Sequence, residues 1–162
     1  RREVESVLGQ IRKEDPQAAE RLKGVIRRGF NGDADLFLRF MNRLQKALPA
    51  EVRIAVRGSA VTGIKYRNGH PFDGEGAGTS DLDLVLVGEA VLAEWPPDEF
   101  YLPGLLTKPL GDENGHRIPW LDRVRRQLEK LVDRPVHIQA MPQWLLEFRE
   151  DFLNTPFVFL DA

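Results

Sequence analysis

Apolar residues at helical spacing occupy the first third of the chain. This spacing predicts helices over residues 3–13 and 16–29, and a third helix that begins after Asp33. The apolar face of the third helix consists of Leu36, Phe37, Phe40, Met41, Leu44 and Leu48. A helix with one apolar face buries that face against another element. We therefore expect the N-terminal helical part, residues 1–48, to pack on a sheet.

Strand and helix patterns alternate in the rest of the chain. They predict strands over 52–57, 80–87, 135–140 and 157–160, and helices over 119–132 and 142–153. Proline and glycine residues between Trp95 and Gly115 predict a long irregular crossing. Because 162 residues are within the common size of one domain, we expect a single domain over residues 1–162 with a core over 50–160.

Two aspartates, Asp81 and Asp83, flank Leu82 at the start of an apolar run. Alternate side chains of a strand point to the same face, so the two carboxylates project together. Like charges this close repel unless a cation lies between them, and carboxylate oxygens suit Mg²⁺ or Mn²⁺ bound together with substrate phosphates. The pair therefore predicts a divalent-metal site, although an Asp-x-Asp sequence alone also occurs on solvated strand edges.

Gly58 and Ser59 follow the strand predicted over 52–57. Glycine allows a phosphate to approach the backbone, and a serine at a helix start offers its hydroxyl and free N–H groups. This turn predicts a site for the outer phosphates of a nucleoside triphosphate. Ser80, directly before the aspartate pair, is a further predicted nucleotide contact. Each motif is weak alone, and their combination carries the prediction.

This combination resembles the nucleotidyltransferase superfamily typified by DNA polymerase β, in particular its small bacterial minimal nucleotidyltransferases. The matching signature is a hydrophobic strand, Gly-Ser, a loop and then Asp-x-Asp on the next strand, within residues 50–160. The resemblance implies an α+β fold with a small mixed sheet and helices packed on it. It also implies a triphosphate at Gly58 and Ser59, divalent ions at Asp81 and Asp83, and transfer of a nucleoside monophosphate from the triphosphate to an acceptor hydroxyl.

One departure from the family concerns the third carboxylate that its members usually carry on a later strand. The corresponding strand here, predicted over 135–140, contains no acid, and His137 holds the position at which the acid is expected, with Gln139 on the same face. Three interpretations remain open: His137 accepts the proton of the acceptor, it binds a softer ion, or activity has been lost. We include His137 among the candidate catalytic residues.

A second departure is the long loop over residues 64–79, which contains four glycines. One interpretation is a flap over the substrate, from which Lys65 or Arg67 reaches triphosphate oxygens. The alternative is a β-hairpin with a disordered tip and solvated charges. In a further alternative, Asp73 or Glu75 folds back and supplies the third metal ligand.

Charge is unevenly distributed although the net charge is only −2. Residues 58–116 contain 3 basic and 10 acidic residues, whereas residues 1–57 contain 13 and 8. An acidic centre attracts cations and does not favour a long nucleic-acid groove. The acceptor therefore remains open among a protein side chain, an RNA end and a small molecule.

The chain has no cysteine, which excludes disulfides and thiolate metal sites and fits a reducing compartment. It shows no signal-peptide pattern and no apolar stretch long enough to cross a membrane. We expect a cytoplasmic protein without membrane contact. The first residue is not methionine, so we expect the natural protein to be longer.

A catalytically silent nucleotide-binding or interaction module is the rival interpretation, for example one half of a toxin–antitoxin pair with a protein partner. The missing third acid favours this module. The intact Gly-Ser and Asp-x-Asp motifs favour the enzyme, because a pure scaffold has little physical reason to retain both.

Overall fold

The computed structural model describes residues 15–161, so the helix predicted over 3–13 lies outside the described residues. Within them the helices are α1 (Pro16–Gly29), α2 (Ala34–Ala47), α3 (Ser59–Thr62), α4 (Glu89–Leu92), α5 (Pro119–Val132) and α6 (Gln143–Leu153). The strands are β1 (Arg53–Arg57), β2 (Leu82–Val87), β3 (Phe100–Leu102), β4 (Leu106–Thr107), β5 (Val136–Met141) and β6 (Phe157–Phe159). The predicted α+β class is confirmed.

Local signals explain where the long helices begin. Asp15 accepts a hydrogen bond from the Ala18 N–H at 3.1 Å, and Pro16 occupies the first turn of α1. Asp33 accepts hydrogen bonds from the N–H groups of the first turn of α2. The bounds of α1, α2 and α5 confirm the helices predicted over 16–29, after Asp33 and over 119–132.

The main sheet has four strands in the order β5-β2-β1-β6. β1 is antiparallel to both β2 and β6, whereas β2 and β5 are parallel, so the sheet is mixed as predicted. β2 begins two residues later than predicted, so Asp81 directly precedes the strand and Asp83 lies within it. In this register Asp83 is opposite His137 on one side and Arg57 on the other.

Alternate side chains of the strands enter two separate apolar cores. Helices α1, α2 and α5 cover one face of the sheet, where Leu84, Ile138 and Val158 belong to the larger core. Helix α6 covers the other face through Leu145 and Leu146, which belong to a smaller core. Since Asp83 and His137 alternate with the residues of the larger core, their side chains lie on the α6 side of the sheet.

The crossing between β2 and α5 contains more structure than predicted: α4, the β3-β4 hairpin and a 3₁₀ turn over Gly115–Arg117. Buried Trp95 anchors it, and its Nε1–H donates to the Lys108 carbonyl at 3.2 Å. Leu110 then forms an isolated antiparallel bridge with Ile138 of β5. This bridge brings the following loop beside His137.

Of the helices that the structure describes, none combines the length and the apolar composition that a membrane crossing requires.

Candidate functional site

Two carboxylates and one imidazole converge at the start of β2. Asp81, Asp83 and His137 each offer a ligand atom, and these atoms all lie within 4.8 Å of one another. Nδ1 of His137 lies 3.2 Å from Oδ2 of Asp81 and 3.6 Å from Oδ1 of Asp83. The parallel pairing of β2 with β5 places Asp83 opposite His137 and so creates the contact. All three side chains are partly exposed, so a ligand can reach them.

The cluster changes the protonation of His137. Hydrogen bonding to Asp81, and then to Asp83, raises the pKa of His137 from 6.5 to about 10, although partial burial opposes the charge. At neutral pH the imidazolium therefore neutralises part of the carboxylate charge in the metal-free protein. A divalent cation bound by the same atoms would take over this role and displace the proton.

The residues present fit a divalent cation. Carboxylate oxygens suit Mg²⁺ and Mn²⁺, and an imidazole nitrogen also suits Mn²⁺ and Zn²⁺. The separation of the three donors allows one ion to contact all of them. The structure thus brings together Asp81, Asp83 and His137, which the sequence predicted as metal-binding and catalytic residues.

The Gly58-Ser59 turn lies directly against this cluster. Gly58 has φ +82°, and a Cβ at this position would be 2.7 Å from Oδ2 of Asp83. Only glycine therefore allows both the backbone conformation and the close approach of the carboxylate. Ser59 begins the short helix α3, which Arg28 of α1 holds by donating to the Ala60 carbonyl at 2.8 Å.

The loop before Asp81 is fixed by Asp73 and Ser80. The Ser80 hydroxyl accepts a hydrogen bond from the Asp73 N–H at 2.8 Å, and the Ser80 N–H donates to Oδ1 of Asp73 at 2.9 Å. Both Nη atoms of Arg134 donate to the Asp73 carboxylate at 2.9 Å. Ser80 is almost completely buried, so its hydroxyl has a structural role and is not available for the nucleotide contact predicted for it.

Among residues 15–161, the metal-ligand atoms that come together belong to Asp81, Asp83 and His137, so neither Asp73 nor Glu75 supplies a third metal ligand in this structure. Partial burial opposes ionisation of Asp73, but hydrogen bonds from Arg134 and from the N–H groups of Ser80 and Gly78 outweigh it and lower the pKa of this carboxyl. Its oxygens are therefore committed to Arg134 and the loop. Glu75 instead lies 3.8 Å from Nδ1 of His70.

Lys65 and Arg67 lie in a hairpin formed by the first part of the loop. Ile64 forms a bridge with Pro71, and the Lys65 N–H donates to the His70 carbonyl at 2.8 Å. Arg67 is exposed and Lys65 is half-buried. Within residues 15–161 neither side chain forms an ion pair with the aspartates, so the predicted contacts with triphosphate oxygens stay a prediction.

His137 also lines a groove of about 670 Å³. Tyr101, Lys108 and Glu113 line it together with Gly111. A Cβ on Gly111 would be 2.9 Å from Cδ2 of His137, so this glycine lets the loop backbone pack against the imidazole. The sequence signals a turn at residues 111–115 but contains no sign that this turn lies against His137.

Arg125 fixes the beginning of β5 and was not predicted to have a role. Its guanidinium is completely buried, donates to the Val136 carbonyl at 3.3 Å, and pairs with Asp112 at 2.9 Å and Asp122 at 2.8 Å. Burial opposes its charge, but hydrogen bonds to Asp112 and Asp122 outweigh this effect and raise the pKa of Arg125. The network holds β5, and hence His137, beside the groove loop.

No protein-family model matches this chain, and no curated protein or solved structure does so either.

Proposed function

We propose that this chain binds a nucleoside triphosphate with Mg²⁺ or Mn²⁺ and transfers the nucleoside monophosphate to an acceptor hydroxyl. The observation that carries the proposal is the contact between the Asp83 carboxylate and Gly58. It makes the candidate metal ligands and the candidate phosphate turn one continuous site. A strand with apolar neighbours has no structural need for such a pair of acids beside a glycine turn.

The proposed roles follow from the chemistry of each residue. Asp81, Asp83 and His137 would hold the cation, which when bound supplies positive charge to the α-phosphate. Gly58 and Ser59 would accommodate the β- and γ-phosphates along the backbone of the turn. The acceptor oxygen bonds to the α-phosphorus while the bond to pyrophosphate breaks, and the hydroxyl proton leaves to a base.

The protonation of His137 constrains its role as that base. An imidazolium cannot accept a proton, and the two carboxylates favour the imidazolium by raising the pKa of His137 to about 10. A cation between the aspartates would repel this proton and free the imidazole nitrogen. His137 therefore becomes a base or a metal ligand only after the aspartates have bound a cation.

The order of motifs and strands supports a polymerase β-like fold as part of this proposal. Gly58 directly follows β1, the loop comes next, Asp83 lies in β2, and β5 presents His137 opposite Asp83. This is the arrangement implied by the resemblance to the nucleotidyltransferase superfamily, with an imidazole in place of the third carboxylate. The acceptor class stays open among a protein side chain, an RNA end and a small molecule.

A catalytically silent nucleotide-binding module is a second candidate function, favoured by one observation. The protonated His137 already places a positive charge beside both aspartates and neutralises part of their charge without a metal. A protein that had lost catalysis could keep this arrangement, because the imidazolium reduces the repulsion between the two carboxylates.

Transfer of a labelled nucleotide tests the two functions. The chain is incubated with each triphosphate labelled at the α-phosphate, with Mg²⁺ or Mn²⁺ and cell extract, beside the double variant Asp81→Asn/Asp83→Asn. Asp151→Asn, which removes an exposed carboxylate on α6, is the matched control. Transfer by the parent and the control but not by the double variant supports the enzyme.

Two other outcomes of this experiment would argue against the enzyme. Metal-dependent triphosphate binding without transfer supports the silent module. Absence of triphosphate binding by the folded parent rejects both functions.

A further inference from the structure

Two guanidinium groups lie on the α6 side of the sheet without a carboxylate partner in the part of the chain that the structure describes. Arg57 is the last residue of β1, directly before Gly58, and it is opposite Asp83. Residues opposite each other in an antiparallel pair share a face, so Arg57 lies on the face that carries the acidic cluster. Its Nε–H donates to Oε1 of Gln139 at 3.2 Å. Among residues 15–161, neither Arg57 nor Arg149 of α6 forms an ion pair.

Arg149 is directed towards the sheet by the packing of α6. Leu145 and Leu146 pack with Ala55 and Val85 in the smaller core. Arg149 follows these leucines by three and four residues, which places it on the same side of the helix, one turn further along. Its guanidinium therefore projects into the space between α6 and the sheet face that carries Arg57.

The environment of Arg149 is unfavourable for a cation. Its Nη1 is buried and has no hydrogen-bond partner among the described residues. Burial lowers the pKa of Arg149, and the positive charge of nearby Arg57 lowers it further. A buried cation that has lost water without gaining an acceptor destabilises the folded protein. An anion between the two guanidinium groups would remove both the repulsion and the missing hydrogen bond.

We propose that Arg57 and Arg149 form a subsite for the phosphoryl oxygens at the pyrophosphate end of the nucleoside triphosphate. Guanidinium groups bind such oxygens through paired, charge-assisted hydrogen bonds. Arg57 adjoins Gly58, so a chain of phosphates that crosses the turn runs from the acidic cluster to this pair. The negative charge that develops on departing pyrophosphate is then stabilised by fixed cations.

The identity of this ligand rests on the proposed function, but polyphosphate binding by the arginine pair does not require transfer. Inorganic tripolyphosphate is therefore the probe, and its binding to the full chain is measured by calorimetry in the presence of a metal chelator. The variants are Arg57→Gln and Arg149→Gln. Arg39→Gln is the matched control, because Arg39 is exposed on α2, which packs on the opposite face of the sheet.

We expect each subsite variant to weaken tripolyphosphate binding about tenfold, as for loss of one charge-assisted hydrogen bond, and the control to leave it unchanged. A thermal unfolding measurement separates binding from a structural role. Because the charge of Arg149 is uncompensated, Arg149→Gln should leave the ligand-free protein at least as stable as the parent. A structural arginine would produce a loss of stability.

Equal tripolyphosphate affinity of parent and both variants overturns the subsite, and so does a parent that binds no tripolyphosphate. The proposed function fails separately. If tripolyphosphate binding depends on Arg57 and Arg149 but no nucleotide is transferred, the subsite is supported and the proposed transfer activity is rejected. If transfer occurs and the arginine variants bind tripolyphosphate like the parent, the proposed function is supported and the subsite is rejected.

Discussion

Gly58 and Asp83 are in contact across the β1-β2 pair, and the space for the Asp83 carboxylate exists only because residue 58 has no side chain. A Cβ there would be 2.7 Å from Oδ2 of Asp83. The same glycine has φ +82°, a conformation that other residues adopt at a cost in strain. The phosphate turn and the metal ligand therefore depend on one another sterically.

Gly58→Ala is expected to displace the Asp83 carboxylate as well as to strain the turn. Gly104→Ala is the matched control, since Gly104 has a similar φ of +72° but no atom of the described residues lies within 4 Å of the added Cβ. Strain alone should cost both variants about 1–2 kcal/mol in the free energy of unfolding. Only Gly58→Ala should also weaken Mn²⁺ binding, measured by calorimetry. Equal Mn²⁺ affinities of the two variants would refute the steric coupling.

The pH dependence of stability tests the contact between His137 and the aspartates in the metal-free protein. The pKa of His137 is raised from 6.5 to about 10, so the folded protein binds this proton more tightly than the unfolded chain does. The stabilisation is therefore complete below pH 6.5 and is lost as the pH rises to about 10.

His137→Gln isolates this effect when the Tm of both proteins is measured with a chelator present. The difference in Tm between parent and variant should be largest near pH 6.5 and should shrink towards pH 10. Other groups that titrate in this range affect both proteins and cancel in the difference. A difference that is constant over the range would mean that no imidazolium forms between the carboxylates.

Patterns local to the chain predicted much of this fold and part of the site. Asp33 was predicted as a cap because its side chain bonds within its own turn. The combination of the two motifs predicted a shared site, and the antiparallel pairing of β1 with β2 places Gly58 beside Asp83. The resemblance assigned His137 to the position of the third carboxylate, and the parallel pairing of β2 and β5 brings it opposite Asp83.

Contacts between distant segments could not be predicted in the same way. Ser80 and Asp73 each suit a ligand site by residue type, and their structural role depends on Arg134, which follows them by more than fifty residues. No sequence pattern singled out Arg125, yet its side chain is completely buried among acids from two segments. Ion pairs between distant segments of the chain produce no periodic pattern in the sequence.

Arg134 is predicted to hold the loop that precedes the aspartates. Arg134→Met should lower the free energy of unfolding by about 3 kcal/mol, because removal of one partner leaves the Asp73 carboxylate partly buried and unpaired. We expect a change at the lower end of the range for broken buried ion pairs, because the Asp73 side chain keeps some exposure to solvent. Urea unfolding measures the change, and hydrogen exchange at residues 73–80 shows whether the loop opens locally.

Arg123→Met on α5 is the control for this experiment, because Arg123 is exposed. The pKa of Asp73 is lowered from its ordinary value of 3.8. The pairing of Asp73 with Arg134 therefore stabilises the protein fully above pH 3.8, and this stabilisation is lost as the pH falls through the lowered pKa. The difference in stability between parent and Arg134→Met should therefore shrink under acid conditions. Unchanged protection of residues 73–80 in Arg134→Met would show that other contacts hold the loop.

Metal preference follows from the imidazole that His137 contributes beside two carboxylates. Mg²⁺ prefers oxygen ligands, whereas Mn²⁺ and Zn²⁺ also accept imidazole nitrogen. The parent should therefore bind Mn²⁺ and Zn²⁺ more tightly than Mg²⁺. His137→Asp should raise the affinity for Mg²⁺ by about tenfold relative to Zn²⁺, a change of about 1.4 kcal/mol in the difference of binding free energies.

Calorimetric titration with each metal measures these affinities, and His70→Asp, in the exposed hairpin, controls for the added charge. The same titrations at several pH values add a second criterion. Because the imidazolium must lose its proton before it can bind a metal, the affinity of the parent should rise with pH more steeply than that of His137→Asp. Equal slopes and an unchanged order of metal affinities would exclude His137 from the coordination of the metal.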